Sequence, residues 1–294
     1  LHIKTVLQAL LVTFLWSTSW VLIKIGLQAN LPAITFAGLR YSVAFLCLLP
    51  FVLTNPTHRK AVRTFSRATW AQLALLGVVF YTLTQGAQFV SLAFLPAATL
   101  TLLLNLSPIF VALASGFLNK ESPSLPQWGG ILLSATGTIA YFLPLDIREG
   151  QILGLAVALV CVLANAGSSL LGRQVNHQSG LSPLLITAVS MGIGGLLLLI
   201  IGAITQGFGS LDLTQWLIIA WLAVVNTAVA FTLWNSTLRT LTATESSVIN
   251  STMLPQIAIL AWLFLGEPLN LKQIIGIILV GIGMLIVQLK RSRS

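Results

Sequence analysis

Residues 95–143 recur as residues 241–289, and this duplication constrains the fold more than any other feature of the sequence. In the first copy Pro108 interrupts an apolar run and is followed by Glu121, Gly130 and Gly137; in the second the order is Pro255, Glu267, Gly276 and Gly283. An offset of 146 residues also carries Trp70 onto Trp216, Val78-Val79 onto Val224-Val225 and Gln127 onto Gln273, with one slip near the prolines. The chain therefore reads as one structural unit used twice, residues 1–145 and 146–294. Duplication of this kind lets a membrane chain build a site between its two halves.

The solvent of the fold follows from composition. With 56% hydrophobic and 7% charged residues and a mean hydropathy of +0.96, the chain falls far from a water-soluble globule, whose charged fraction is about 25%. A net charge of +9 does not indicate nucleic acid, because the basic residues sit between apolar runs rather than on one solvated face. Cys47 and Cys161 lie inside apolar runs and read as lone buried thiols. The first run exceeds 20 residues and has no small-residue cleavage site, so it reads as a retained helix and not a signal peptide. Beginning at Leu1, the chain is expected to lack an initiator methionine.

About 20 apolar residues cross a bilayer core as a helix, and ten such spans can be laid out. They are residues 5–27, 32–53, 70–92, 96–118, 126–143, 152–172, 183–204, 215–237, 243–264 and 271–289. An all-α fold is required, since open strands would leave backbone groups unpaired in lipid and no barrel-like alternation is present. A cytoplasmic N-terminus places eleven Lys and Arg residues on that side and only Arg148 and Lys272 on the other. This bias orients both termini to the cytoplasm. Residues 54–69 become a basic loop lying against anionic headgroups. Five spans per half is an odd number, so the second half enters the bilayer inverted relative to the first.

Polar residues inside these spans are the candidates for function. Tyr81, Gln85 and Gln88 in span 3 share one face at i, i+4, i+7 spacing, as do Thr13, Ser17, Trp20 and Lys24 in span 1, with Trp16 beside them. Asn105 in span 4, Asn165 and Ser168 in span 6, Asn226 in span 8 and Asn250 in span 9 complete the set. Such faces turn inward, either joining helices or lining a cavity, and their presence in six symmetry-related spans favours a central cavity. Pro108 and Pro255, near the middle of spans 4 and 9, bend their helices; gating and packing about a symmetry axis both account for them. Lys24 and Arg40 are the two cations well inside spans, each costing roughly 2.5 to 3.5 kcal/mol at the bilayer centre. Lys24 lies within reach of the outer headgroups by snorkelling, whereas Arg40 is left to line an outer vestibule or to cap a carbonyl. Glu121 and Glu267 are expected to cap the helices or connections that follow them. Glycines 129, 130, 137, 276, 281 and 283 of spans 5 and 10, and Gly192, Gly194 and Gly195 of span 7, permit close helix packing. The same spans 5 and 10 offer an alternative seam for a homodimer; otherwise the chain is a monomer. Mid-membrane carboxylates and histidines are missing from the spans, which argues against an intramembrane enzyme, a metal site or a proton relay.

These residues carry a resemblance. Ten spans in two halves, Leu-Ser-Pro-Ile-Phe at residues 106–110, Leu-Pro-Gln-Ile at 254–257, Gly-Glu-Pro-Leu at 266–269 and the glycines after it resemble the EamA family of the drug/metabolite transporter superfamily. Trp16 with Lys24, and Arg40, are similar to that family's first-half pattern, while Ser17 and Asn119-Lys120-Glu121 depart from it. The resemblance implies alternating-access export of small metabolites, commonly amino acids, from a bacterial inner membrane, with no cofactor. A cavity of amides, hydroxyls and Trp or Tyr rings without an acidic group suits zwitterionic or neutral solutes. The alternative is a polyspecific exporter of drugs or lipophilic compounds.

Overall fold

The computed structural model describes residues 2–107, 109–111, 114, 124–142, 149–178, 181–209, 211–237, 241 and 249–291. Within them every regular element is a helix, as the bilayer demands of a chain this apolar. In order they are α1 (His2–Gln28), α2 (Ala33–Thr54), α3 (Pro56–Arg63), α4 (Arg67–Phe94), α5 (Ala97–Leu104), α6 (Leu125–Phe142), α7 (Glu149–Gln178), α8 (Pro183–Thr205), α9 (residues 213–237), α10 (Met253–Leu265) and α11 (Leu271–Arg291). Six helices are long and apolar enough to cross a bilayer, namely α1, α2, α4, α7, α8 and α9. Expected spans 4, 5, 9 and 10 fall on the shorter helices α5, α6, α10 and α11.

Local chemistry sets the ends of these helices. Asn30 takes a left-handed φ of 62° between α1 and α2, a conformation that Asn tolerates better than most side chains. Ser66, Ser182 and Asp212 accept hydrogen bonds from the first turns of α4, α8 and α9, and Asp212 with Gln215 forms a reciprocal capping box. Gln127 and Gln273, matched in the sequence repeat, play the same part: each amide oxygen accepts from the backbone N–H three residues earlier, at Ser124 and Asn270. The basic segment 54–69 contains α3, whose Arg59, Lys60 and Arg63 lie outside the core. That end of the bundle is termed the basic face.

Packing is organised by close antiparallel crossings. Along α2 and α8, Gly202 lies against Thr35, Gly38 against Leu199, Gly195 against Tyr41 and Gly192 against Phe45, so one number falls as the other rises. In α6 and α11 a Cβ on Gly130 would meet the Gly283 carbonyl at 2.6 Å, and one on Gly137 would meet the Gly276 carbonyl at 2.8 Å. Only glycine lets these backbones touch. Gly129 and Gly281 instead face open space, so four glycines of this pair are used within the chain. The remaining contacts exchange between halves: α1 packs on α9 and α10 as α7 packs on α4 and α5, and α4 packs on α8 as α9 packs on α2.

Two irregularities sit at matched positions. Val78–Gln85 in α4 and Val224–Val229 in α9 are wound as π-helix, starting at the Val-Val pairs that the 146-residue offset superposes. Thr84 and Thr227 each donate to a carbonyl five residues back, Val79 and Leu222, at 2.8 Å in both cases, which fixes the wide turn. The freed Thr84 carbonyl accepts from the buried Cys161 thiol at 3.2 Å. The second irregularity corrects the expected bend at Pro255. α5 ends at Leu104, four residues before Pro108, and α10 begins at Met253 after a break at Thr252, three residues before Pro255. Pro255 therefore falls in the first turn of a new helix, where a missing N–H costs nothing, and its side chain is exposed. Pro108 itself lies outside the described residues.

Candidate functional site

A cavity of about 440 Å³ enters the bundle between α1, α4, α7, α8 and α9. Its lining includes Pro183 at the start of α8, next to Ser182, whose hydroxyl is 3.3 Å from His58 Nε2 of α3. The cavity thus opens toward the basic face and ends near Trp16, Tyr81 and Ser190. One wall is aromatic: Trp16 packs 5.3 Å from Phe231 and 5.2 Å from Trp234, centroid to centroid, in tilted pairs. Phe80 and Tyr81 extend it, with their rings 4.8 Å apart. Trp16 Nε1 is buried without a partner, so the ring contributes its apolar face to the wall while its N–H stays unpaired behind it.

The opposing wall carries hydroxyls from Ser168, Ser169, Thr187 and Ser190. Ser168 and Ser169 donate to the Asn165 carbonyl at 2.9 and 2.8 Å, and Ser190 donates to the Ile186 carbonyl at 2.5 Å. Their hydrogens are used on their own helices, so these oxygens face the cavity as acceptors. Among the described residues no carboxylate and no lysine or arginine lines the space.

The expected site residues divide. Trp16, Tyr81 and Ser168 meet at this cavity. Ser17 donates to Gln256 Oε1 at 2.9 Å and joins α1 to α10, together with Thr13, Thr252 and the Gln256 amide; it is a helix contact, not a cavity residue. Trp20 is packed in the core at 6% exposure. Gln85 accepts from Tyr41 OH at 2.6 Å, and Gln88 is buried. Tyr81 and Gln85 both meet Tyr41, by a ring contact at 5.4 Å and by that hydrogen bond, and of the three expected residues only Tyr81 also lines the cavity. Asn226 donates to the Leu15 carbonyl and, at 3.1 Å, to Thr18 Oγ1, tying α9 to α1, while its Oδ1 has no partner. Asn105 donates to Thr101 O at 2.9 Å one turn back, Asn165 lends its carbonyl to the two serines, and Asn250 is exposed and is not among the residues lining this cavity. Polarity in a span announces an inward face, and most of these faces are spent on helix contacts.

Sequence reading missed Phe80, Ser169, Thr187, Ser190, Phe231 and Trp234. Phe231 and Trp234 at i, i+3 spacing in span 8 were the legible signal, since they match Trp16 in chemistry.

The far end of the bundle is closed. Lys24 was expected to snorkel outward; its Nζ turns inward instead and donates to Leu92 O at 2.6 Å and Leu95 O at 2.7 Å. These carbonyls end α4, where Pro96 cannot continue the helix, and a cation satisfies them better than water at that depth. Glu267 is likewise placed differently from expectation. Gly266, at φ 64°, terminates α10 and turns the Glu267 carboxylate onto the N-terminus of α5, where it accepts from Ala97 N at 2.8 Å. The following helix α11 is capped by Asn270 and Gln273 instead. Burial raises the Glu267 carboxyl above its ordinary range, while Lys24 and the backbone N–H groups of Ala97 and Ala98 pull it back. Glu121, its counterpart in the repeat, lies outside the described residues.

A helical, multi-pass membrane protein with an internal cavity is the class this geometry defines. The model of the EamA-like transporter family matches residues 3–143 and again residues 152–289, and the chain belongs to that family. It is 28% identical over 282 residues to an S-adenosylmethionine/S-adenosylhomocysteine transporter of Chlamydia trachomatis serovar L2, covering 91% of this chain and 84% of that one. It is 25% identical over 295 residues to the uncharacterised transporter YoaV of Bacillus subtilis, covering 96% of each. A crystal structure sharing 17% identity superposes with a TM-score of 0.68 over 99% of both chains, a likeness of fold alone.

Proposed function

We propose that this membrane transporter moves small metabolites, amino acids or related zwitterionic or neutral solutes, out of the cell by alternating access through the cavity. The observation that carries this reading is the cavity itself, 440 Å³ with an aromatic wall and an acceptor wall, within the range of small-molecule sites. In this reading residues 1–145 and 146–294 are two inverted five-helix halves, supported by the exchange of helix contacts between them. The basic face is cytoplasmic and both termini lie there, in a bacterial inner membrane. Trp16, Tyr81 and Ser168 contact the solute, and the breaks before Pro108 and Pro255 let α5 and α10 swing. S-adenosylmethionine, an amino acid bearing a flat purine, offers a ring to the aromatic wall and N–H donors to the serine oxygens.

A second reading, export of lipophilic cations, is favoured by one observation: Trp16, Phe231 and Trp234 present ring faces that a cation can use without a carboxylate. Proteoliposomes loaded with unlabelled solute separate the two. Counterflow of labelled amino acids or S-adenosylmethionine, with and without a pH gradient, supports the first reading; movement of lipophilic cations alone replaces it with the second. Trp16→Ala is expected to lower transport about tenfold, the loss of one aromatic contact, with the solubilised protein still monodisperse.

A further inference from the structure

Arg40 is buried in α2 at 4% exposure, and among the described residues its charge has no counter-ion. Its Nε donates to Thr227 Oγ1 at 3.1 Å. The Thr227 hydroxyl hydrogen is already committed to Leu222 O, so that oxygen can only accept. The guanidinium carbon lies 5.2 Å from the Tyr41 ring. Among the described residues Thr227 is its single hydrogen-bond acceptor and no carboxylate pairs with it; Asp212 and Glu267 are engaged at helix starts. Guanidinium carries five N–H donors in a planar fork, so four remain unspent. A buried cation of this kind calls for an anion.

Its place in the fold says which anion. Thr227 is one turn from Phe231, and the Tyr41 ring packs 5.4 Å from Tyr81; Phe231 and Tyr81 both line the cavity. Arg40 therefore sits just beyond the blind end, between the cavity and the face that Lys24 closes. The cavity proper has aromatic faces and acceptors but no cation to receive a carboxylate. We propose that Arg40 is the carboxylate-recognition group of the transport path, its terminal N–H donors taking the solute's carboxylate as it passes the blind end. A bidentate guanidinium fork fits that planar anion. The inference deepens the amino-acid reading above and rests on it.

The test compares labelled phenylalanine and S-adenosylmethionine as counterflow substrates, with phenylalanine and phenylalaninamide as competitors, in proteoliposomes of the full chain. The wild type is expected to be inhibited by phenylalanine at least about tenfold more strongly than by the amide, in line with the cost of unpairing a buried charge. Arg40→Gln abolishes that preference while leaving inhibition by the amide within about twofold. Arg40→Lys, which keeps the charge without the fork, retains part of the preference and serves if Arg40→Gln does not yield monodisperse protein. Equal loss for acid and amide, or no preference in the wild type, overturns the carboxylate role and leaves transport standing. If neither labelled solute moves in the wild type, the amino-acid reading fails and takes this inference with it.

Discussion

The two ends of the helical bundle are closed by different means. At the basic face the cavity walls meet through aromatic rings, and the serines lining it bond to their own helices. At the opposite face, polar groups reach between elements distant in sequence: Lys24 to Leu92 and Leu95, Glu267 to Ala97, Gln215 to Ala29, and Gln206 to Ile34. The basic face has cross-element bonds of its own, Gln8 Nε2 to Leu233 O at 3.1 Å and to Ser236 Oγ at 2.6 Å and Ser182 beside His58 at 3.3 Å, so what sets the far end apart is the pair of charged groups, Lys24 and Glu267, that its ties use. A transporter that reverses its access has to break ties at the far face, and three of them, Glu267 to Ala97, Gln215 to Ala29 and Gln206 to Ile34, join residues 1–145 to residues 146–294.

The largest expected effect comes from the scaffold both ends share. A Cβ on Gly194 would collide with the Gly77 carbonyl where α8 crosses α4. Gly194→Val is expected to cost about 3 kcal/mol or more, read as a lower melting temperature in detergent. Gly129→Val, whose Cβ would meet nothing within 4 Å, should leave the melt unchanged. A stable Gly194→Val would mean the crossing yields, and the ends could not then be treated as separate. The next effect sharpens the contrast directly. Lys24→Met removes two bonds to carbonyls and should raise labelling of a cysteine placed at Leu95, 1% exposed, by about tenfold. An impermeant maleimide reports this from the far side. Unchanged labelling would show that the face is held by packing alone.

How much of this could be read in advance depends on the scale of the signal. Helical spans follow from apolar length, a property of 20 residues at a time, whereas the recurrence of Val78-Val79 as Val224-Val225 showed the repeat but not the π-turns that begin there. Which way a single side chain turns depends on one turn of helix. Tyr81 and Gln85 have the spacing of one face and both meet Tyr41, yet Tyr41 OH takes up the Gln85 amide oxygen and only Tyr81 reaches the cavity. Lys24 is long enough both to snorkel and to fold back, and the free carbonyls before Pro96 decide the outcome. Ser17 and Asn226 were legible as inward-facing but not as helix ties, because their partners Gln256 and Leu15 lie more than 200 residues away.

The smallest effect concerns the carboxylate of the closed face. Glu267 is half-buried beside Lys24 and Tyr141, and burial outweighs the hydrogen bonds that favour its charged form. Its carboxyl therefore holds a proton more tightly in the closed arrangement than in an opened, solvated one, where the ordinary value is 4.5. The sign follows from linkage: protonation favours closure, the advantage is complete below 4.5, and it is lost as pH rises through the elevated value of the closed state. Labelling at position 95, divided at each pH by that of a fully exposed cysteine so that thiol ionisation cancels, should rise by about two- to threefold across that window in the wild type. Glu267→Gln, which keeps an acceptor for Ala97 N but cannot ionise, should flatten that ratio. A pH dependence of the ratio that survives the substitution would assign it to another group at this face, and Glu267 would then have no part in the proton response of the polar end.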